Sequence, residues 1–239
     1  QCLRAYTKPA KTPKPAARVS ALIGNNAPSD AIDRTAKLYI AGKQVRPDGG
    51  YSKPVWGKNG ALLGHVCLAN RKDVRNAVEA NANAASWART TGHLRAQILY
   101  YIAENLAARG DEFAQRLNAM QGGTKGDAEV ASAINTLFTF AAWADKYDGA
   151  AKGVPIRGIA LAMNEPVGSI GALCPDTDPL LGRVGRIAPA IAMGSRITAV
   201  ASAPFPLAAT DFVQVLETSD VPAGVVNILT GEAADLAPH

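Results

Sequence analysis

The order of apolar and polar residues divides the chain into regions of different period. Short extended runs over residues 37–68 are separated by turn signals at 42–43, 48–50 and 58–60, and the Asp-Gly and Asn-Gly pairs in these turns favour β-hairpins. Helical spacing begins at Asp73, and further helices are predicted over residues 93–109, 112–120 and 127–147. We expect Gly110 to end the first of these three and Asp111 to cap the second. The apolar residues expected to face the core on these helices are Val74, Val78, Ala82 and Ala85, then Leu94, Ile98, Tyr101, Ile102 and Leu106, and finally Val130, Ile134, Leu137, Phe138 and Ala141.

The last third of the chain alternates strand-like and helical segments. Apolar runs at 167–174, 196–202 and 225–229 are separated by helical patterns at 180–193 and 206–217. Strands that alternate with helices in this way form a right-handed parallel unit, and strands without polar alternation are covered on both faces. The sequence therefore predicts an α/β fold in which N-terminal hairpins and helices are followed by a parallel Rossmann-type βαβαβ unit.

Composition narrows the class of protein. The 239 residues are 48% apolar and 19% charged, which is enough apolar surface for a sizeable core. No run of about 18 apolar residues predicts a membrane span, and Cys2, Cys67 and Cys174 lack the spacing of a zinc site or a disulfide scaffold. We expect no metal site, interpret His65 and His93 as structural, and expect a reduced, cytoplasmic protein. The first residue is not Met, so the chain is interpreted as a fragment of a longer protein.

Positive charge is concentrated at the beginning of the chain. The net charge is +5, and five basic residues without an acid lie among the first eighteen positions: Arg4, Lys8, Lys11, Lys14 and Arg18. Three prolines accompany them, so residues 1–35 are predicted to be a basic, Pro-rich linker or the tail of a preceding domain, and residues 36–239 a separate domain. Nucleic-acid binding by the tail is disfavoured because neither an aromatic platform nor a basic helix face accompanies it.

Several segments resemble one family in matching order. Residues 37–109, with KLYIAGK at 37, AASWA at 84 and RAQIL at 95, resemble the opening of the aldehyde dehydrogenase superfamily. Residues 164–175 (NEPVGSIGALCP), 187–194 (IAPAIAMG) and 221–231 (VPAGVVNILTG) are similar to its first Rossmann strand, the following helix and the third strand. The resemblance implies the fold of that family's cofactor-binding half, with NAD or NADP as the cofactor.

The resemblance also locates the functional positions of the family. It places cofactor-binding positions at Cys174, Pro175, Thr177, Val200, Ser202 and Gly231. The family's oxyanion donor is an Asn in a Cys-Pro-Trp-Asn-Phe-Pro type run, which here reads CPDTDP, so that Thr177 stands at the Asn position between two aspartates. The family's Lys-Pro-Ser-Glu turn, whose Lys and Glu hold the adenosine ribose, reads VASA from Val200, and only Ser202 matches.

Three further features are interpreted as structural. Cys174 has no basic neighbour in sequence to activate it, and the family commonly has a non-catalytic Cys at this position, so we interpret it as non-catalytic. Gly168 and Gly171 fall within a predicted strand rather than in a phosphate-binding turn, which favours close packing at these positions. Cys67 is expected to be a small buried apolar residue.

The differences from the family at Thr177 and in the turn that begins at Val200 leave two main functions open. The first is a degenerate, non-catalytic module of a larger aldehyde dehydrogenase, similar to the second copy in bimodular, family 16 type members, with a structural or oligomerisation role. In that case its partners are other domains or chains of the same dehydrogenase, as in a homodimer. The alternative is the cofactor-binding half of an active NAD(P)-dependent enzyme that oxidises aldehydes to carboxylic acids, with the family's catalytic Cys and Glu beyond this segment.

Overall fold

A computed structural model describes residues 35–147 and 149–239. The predicted linker therefore lies outside the described residues, except for Thr35. At Ala36 the chain already belongs to the fold, because its N–H donates to the carbonyl oxygen of His65 (2.9 Å) and its own carbonyl accepts from Cys67 (3.0 Å). Within the described ranges, no helix combines the length and the apolar character needed to cross a bilayer.

Two hairpins open the described part of the chain. Strands β1 (Leu38–Ile40) and β2 (Lys43–Val45) pair antiparallel across Ala41 and Gly42, whose φ angles of 54° and 74° form the tight turn that this connection requires. Strands β3 (Ser52–Trp56) and β4 (Leu62–Cys67) pair across the predicted turn at 58–60. The hairpin predicted at 48–50 is wrong, because this turn joins β2 of one sheet to β3 of another.

Helices fill the segment between the hairpins and the parallel unit. They are α1 (Arg71–Asn83), a short 3₁₀ helix (Ala85–Arg89), α2 (Gly92–Ala108), α3 (Gly110–Gln121) and α4 (Gly126–Ala144). Helix α1 begins two residues before Asp73, because Asn70 and Asp73 form a reciprocal capping box. The cap predicted at Asp111 is wrong, since α3 begins directly after Arg109 and Asp111 lies within its first turn.

The predicted core faces of these helices are partly confirmed. Buried residues among them are Val74, Ile98, Ile102, Leu106, Val130, Leu137 and Ala141, and Ile134 is half-buried. The prediction is wrong at the exposed residues Val78, Ala82, Ala85, Leu94, Tyr101 and Phe138. In α1 the buried arc is shifted, because Ala77, Ala80 and Asn81 face the sheet. Phe138 instead meets the ring of Tyr100 near the surface, with ring centroids 5.8 Å apart.

A third hairpin follows α4, where the pattern predicted no element. Strands β5 (Ala150–Gly153) and β6 (Ile159–Ala162) pair antiparallel over four residues each, and all of those residues are exposed. A hairpin whose two faces are both exposed lacks the burial contrast from which a strand is read in a sequence.

The parallel unit is confirmed. It consists of β7 (Ser169–Leu173), α5 (Pro179–Ala192), β8 (Arg196–Val200), α6 (Leu207–Glu217) and β9 (Val226–Leu229), followed by the short α7 (Ala233–Leu236). Strands β7, β8 and β9 pair in parallel, and β1 joins β9 antiparallel, which gives the sheet order β2-β1-β9-β8-β7.

The central sheet has apolar packing on both faces. Ile197 and Ala199 belong to a large core with α5 and α6, whereas Val200 and Leu229 belong to a smaller cluster with α1, in which Cys67 is buried as predicted. Coverage of both faces is confirmed for β8 and β9. It is wrong for β7, an edge strand on which Ser169, Gly171 and Leu173 are exposed. Close packing at Gly171 is also wrong, because a side chain there would have no neighbour within 4 Å.

A buried polar network fixes α1 to the sheet. The Asn227 amide on β9 donates to Asn81 Oδ1 (2.8 Å) and to the carbonyl oxygen of Ala77 (3.2 Å), while its own oxygen accepts from the N–H of Ala41 (2.9 Å). Asn81 in turn donates to the hydroxyl of Thr198 on β8 (2.9 Å). Because buried amides are costly without partners, this network sets the position of α1 against β8 and β9.

Candidate functional site

The carboxyl ends of the parallel strands bring most of the predicted site residues to one edge of the sheet. The N–H of Cys174, directly after β7, donates to the carbonyl oxygen of Val200 at the end of β8 (2.9 Å), and Ala201 donates to Leu229 of β9 (2.8 Å). Ligands of doubly wound folds bind at this edge. Gly231 follows β9 and lies beside Leu236 and Ala69.

The hydroxyl of Ser202 is engaged within the chain. Ser202 is 1% exposed, and its Oγ donates to Asp176 Oδ1 at 2.8 Å. The same oxygen accepts from the N–H of Phe205 at 3.3 Å. A hydroxyl has one proton to donate, and here that proton is held by a carboxylate from the neighbouring loop.

The loop after β7 carries two carboxylates at the crevice. Asp176, Thr177 and Asp178 are all exposed, and Asp178 has the left-handed backbone conformation (φ 48°) that Asp tolerates better than most residues. Pro175 lies against the first turn of α5 at Gly182, where a side chain would overlap the proline ring. Thr177 is thus an exposed residue between two acids, a charge arrangement that opposes a developing oxyanion.

The N-terminus of α5 is occupied by a side chain from α4. Glu129 is 5% exposed, and its Oε1 accepts from the N–H groups of Leu180 (2.7 Å) and Leu181 (3.2 Å). Burial raises the pKa of Glu129 above its ordinary value, and the two backbone hydrogen bonds act against that shift. Helix N-termini bind anions such as phosphate, and here the chain supplies the anion itself.

A buried arginine lies behind the same loop. Arg183 on α5 is 0% exposed, and none of its three guanidinium nitrogens makes a hydrogen bond of ordinary geometry to a described residue. Burial lowers its pKa, and the Cys174 side chain supplies the strongest interaction in the opposite direction, ahead of Glu129 and Asp211. Cys174 thus has no basic neighbour in sequence, and Arg183 is the basic residue with which its side chain interacts in the fold.

Sequence reasoning missed Glu129 and Arg183. A signal existed for the arginine, because it falls on the apolar stripe of α5 formed by Leu180, Val184 and Ile187, all of them fully buried. A basic residue on such a stripe has to be buried or has to displace the helix. Glu129 gave no comparable signal, since its partners are backbone groups 51 and 52 positions away.

The crevice residues do not fit a dinucleotide at the predicted positions. Gripping its ribose and phosphates requires paired polar groups and free anion-binding N–H groups. Val200 and Ala203 are apolar, the Ser202 hydroxyl is held by Asp176, and the helix N-terminus is filled by Glu129.

Other possible binding sites in the described ranges have fewer functional groups. A cavity of about 300 Å³ lies on the α1 side of the sheet, and Val200 alone among the predicted site residues lines it. Within residues 35–147 and 149–239, no three His, Cys, Asp or Glu side chains are grouped so that they could hold a metal ion. His93 is exposed in the first turn of α2, and His65 is half-buried in β4.

Comparison with solved structures shows the same fold. Betaine aldehyde dehydrogenase from Staphylococcus aureus, solved in complex with NAD+, superimposes with a TM-score of 0.82 at 23% identity over 85% of this chain and 42% of that one. A variant of an aldehyde dehydrogenase from Bacillus cereus gives a TM-score of 0.81 at 24% identity, over 84% of this chain and 42% of that one.

Comparison with protein families and with the sequences of known proteins agrees with the comparison of structures. The human cytosolic 10-formyltetrahydrofolate dehydrogenase is 28% identical over 210 residues, which are 83% of this chain and 23% of that protein. The chain thus spans about a quarter of that relative's length and less than half of the solved structures. The aldehyde dehydrogenase family model matches residues 51–239. On these grounds, the chain belongs to the aldehyde dehydrogenase family.

Proposed function

We propose that this chain is a degenerate, non-catalytic module of a larger aldehyde dehydrogenase, of the kind found as the second copy in bimodular, family 16 type members. The observation that carries the proposal is the hydrogen bond from Ser202 to Asp176. It uses the one hydroxyl that remains at the family's ribose-binding turn, and it brings a carboxylate to the place where a polyanionic coenzyme would approach.

The missing groups account for the expected loss of affinity. Each lost hydrogen bond to a charged or bidentate group costs about 1.5–3 kcal/mol. The Lys and Glu positions of the family's turn are Val200 and Ala203 here, so two such contacts are absent. Together these losses weaken coenzyme binding by roughly a hundredfold or more.

A structural role has its own support in the β5–β6 hairpin. Ile156, Ile159, Leu161, Met163 and Val167 in and beside this hairpin are 70–87% exposed. Contiguous exposed apolar side chains mark association surfaces. We propose that this surface contacts a second chain or domain of the same dehydrogenase, so that the module takes part in assembly of a homo-oligomer.

Coenzyme titration tests the first proposal. Calorimetry of the full chain with NAD+ and with NADP+ is expected to give millimolar binding or none. Low-micromolar binding would contradict the proposal and favour the alternative, in which this chain is the cofactor-binding half of an active NAD(P)-dependent aldehyde dehydrogenase.

A restoring variant sharpens the test. The double substitution Val200→Lys and Ala203→Glu returns both charged groups to the turn and is expected to increase coenzyme affinity at least about tenfold. Val200→Met with Ala203→Gln provides side chains of similar length without charge and is the matched control. Equal coenzyme affinity of the two double variants would show that the weak binding has its cause elsewhere in the crevice.

A further inference from the structure

The turn between β3 and β4 holds the one Asn-Gly pair in the 239 residues of the sequence. Lys58, Asn59 and Gly60 at this turn are all exposed. Gly60 has a φ angle of 79°, and a side chain built there would have no neighbour within 4 Å. The pair therefore combines access to solvent with a following residue that has no side chain to shield its backbone nitrogen.

The side chain of Asn59 folds back over its own backbone. Its Oδ1 accepts a hydrogen bond from the N–H of Ala61 at 3.0 Å, which is the arrangement of an Asx turn. Because this bond spans Gly60, it holds the amide carbon of Asn59 on the same side of the chain as the Gly60 nitrogen. These are the two atoms that have to meet if the side chain is to close a five-membered ring on the backbone.

One backbone hydrogen bond restrains the nitrogen. The N–H of Gly60 donates to the carbonyl oxygen of Gly57 at 2.9 Å, and this bond has to open before the nitrogen can react. A hydrogen bond of ordinary net strength shifts such an equilibrium by about tenfold or less. The folded turn therefore slows attack by the Gly60 nitrogen only modestly relative to a flexible peptide.

We infer that Asn59 is a modification site at which the chain deamidates without an enzyme. A base takes the proton of the Gly60 N–H, and the nitrogen attacks the amide carbon of Asn59, so that a C–N bond forms. The bond from that carbon to the amide nitrogen breaks, ammonia leaves after taking up a proton, and a succinimide remains. Water then opens one of the two bonds between the ring nitrogen and its carbonyl carbons, which gives aspartate or isoaspartate without a change of oxidation state. The inference is independent of the proposed non-catalytic function.

The modification alters the contact between this turn and α3. The N–H of Lys58 donates to the carbonyl oxygen of Ala119, in the last turn of α3, at 3.2 Å. A Cβ atom built on Gly57 would lie 2.8 Å from that oxygen and 2.9 Å from Asn59 Oδ1, so these two oxygens lie close together. Deamidation replaces the neutral amide there by a carboxylate, beside the negative end of a helix.

Peptide mass spectrometry of the aged chain tests the site. The full chain is incubated at about pH 8 and digested with pepsin at acid pH, and the conversion of each asparagine to aspartate or isoaspartate is followed with time. Conversion is expected at Asn59 before Asn83 and Asn135, which are exposed on helices and precede residues with side chains. Earlier conversion at either helical asparagine would overturn the inference.

A peptide of residues 54–64 provides the reference for the folded turn. Under the same conditions, Asn59 of the native chain is expected to convert within about tenfold of the rate in the peptide, because one hydrogen bond has to open. A native rate that lies further below the peptide rate would mean that the fold protects Asn59, and it would overturn the inference.

A matched pair of glycine variants tests the role of the neighbouring residue. Gly60→Ala places a methyl group beside the attacking nitrogen and is expected to slow conversion of Asn59 severalfold. Gly64→Ala adds the same group on β4 of the same hairpin, where its contact with Leu207 is of ordinary length, and is expected to leave the rate unchanged. Equal rates in the two variants would overturn the inference.

Discussion

The carboxylate of Glu129 caps helix α5 by accepting a 2.7 Å hydrogen bond from the backbone N–H of Leu180. This contact joins α4 to the helix that follows the first parallel strand. It also leaves that helix with its positive end already neutralised. The cap therefore affects both the stability of the fold and the character of the crevice.

Removal of this cap is expected to destabilise the chain. Glu129→Ala leaves the buried N–H of Leu180 without an acceptor and should lower the free energy of unfolding by about 1–3 kcal/mol. Glu129→Gln keeps an acceptor oxygen and should stay within about 1 kcal/mol of the wild type. Urea unfolding monitored by circular dichroism measures both variants, and equal losses for the two would contradict the cap.

The same residue predicts a pH dependence. Burial raises the folded-state pKa of Glu129 above the ordinary value of 4.5, so the folded chain binds more protons than the unfolded chain between those two values. The stabilisation from this group is complete below the unfolded pKa and is lost as the pH rises through the folded pKa. The difference in unfolding free energy between the wild type and Glu129→Gln should accordingly fall as the pH rises from the ordinary pKa of 4.5 through the raised pKa of the folded chain. A difference that rises with pH would refute the assignment.

The buried amide network predicts a large loss of stability when Asn227 is replaced. Asn227→Ala removes the donor to Asn81 Oδ1 and the acceptor of the Ala41 N–H and should cost about 2–4 kcal/mol of unfolding free energy. Asn135→Ala, an exposed asparagine on α4, serves as the control and should change stability by less than about 0.5 kcal/mol. Similar losses in thermal or urea unfolding for the two variants would argue against the network.

Replacement of the buried arginine should not destabilise the chain. Arg183→Met substitutes an apolar side chain of similar volume for a buried guanidinium that has no hydrogen-bond partner among the described residues, and is expected to be neutral or stabilising by about 1–3 kcal/mol. Arg186→Met, at an exposed position on the same helix, should lie within about 0.5 kcal/mol of the wild type. A loss above about 1 kcal/mol for Arg183→Met would mean that the guanidinium stabilises the fold directly.

The exposed hairpin predicts self-association. The full chain should sediment as a dimer or larger assembly, and Ile159→Asp with Leu161→Asp should shift it to the monomer, because charges oppose burial of this surface. Leu62→Asp introduces a charge at an exposed apolar position on β4, outside the β5–β6 hairpin, and should leave the assembly unchanged. Sedimentation velocity over a range of concentrations distinguishes these outcomes, and a monomeric wild type would contradict the assembly role.

The parts of the fold that follow from local patterns were predictable. The parallel unit is apparent in the sequence because Ile197, Val226 and Leu229 lie in mainly apolar runs without regular polar alternation, and the intervening helices have clear periods. The β5–β6 hairpin was not predictable, since both of its faces are exposed and no burial contrast marks its strands.

The candidate site was likewise predictable only in part. The convergence of Cys174, Val200 and Ser202 follows from strand order alone, because parallel strands end at one edge. The pairing of Ser202 with Asp176 and the capping of α5 by Glu129 depend on loop conformation and helix packing. Spacing along the chain fixes neither of these, so only the structure places them.

The junction of β1 with β9 bears on how the chain acquires its shape. The N–H of Ala41 meets the side chain of Asn227, 186 positions further along. Contacts of such wide separation close slowly, because a long loop must be ordered before they form. During synthesis β1 can pair only with β2 until Asn227 and β9 have left the ribosome, so its other edge has no partner strand in that interval.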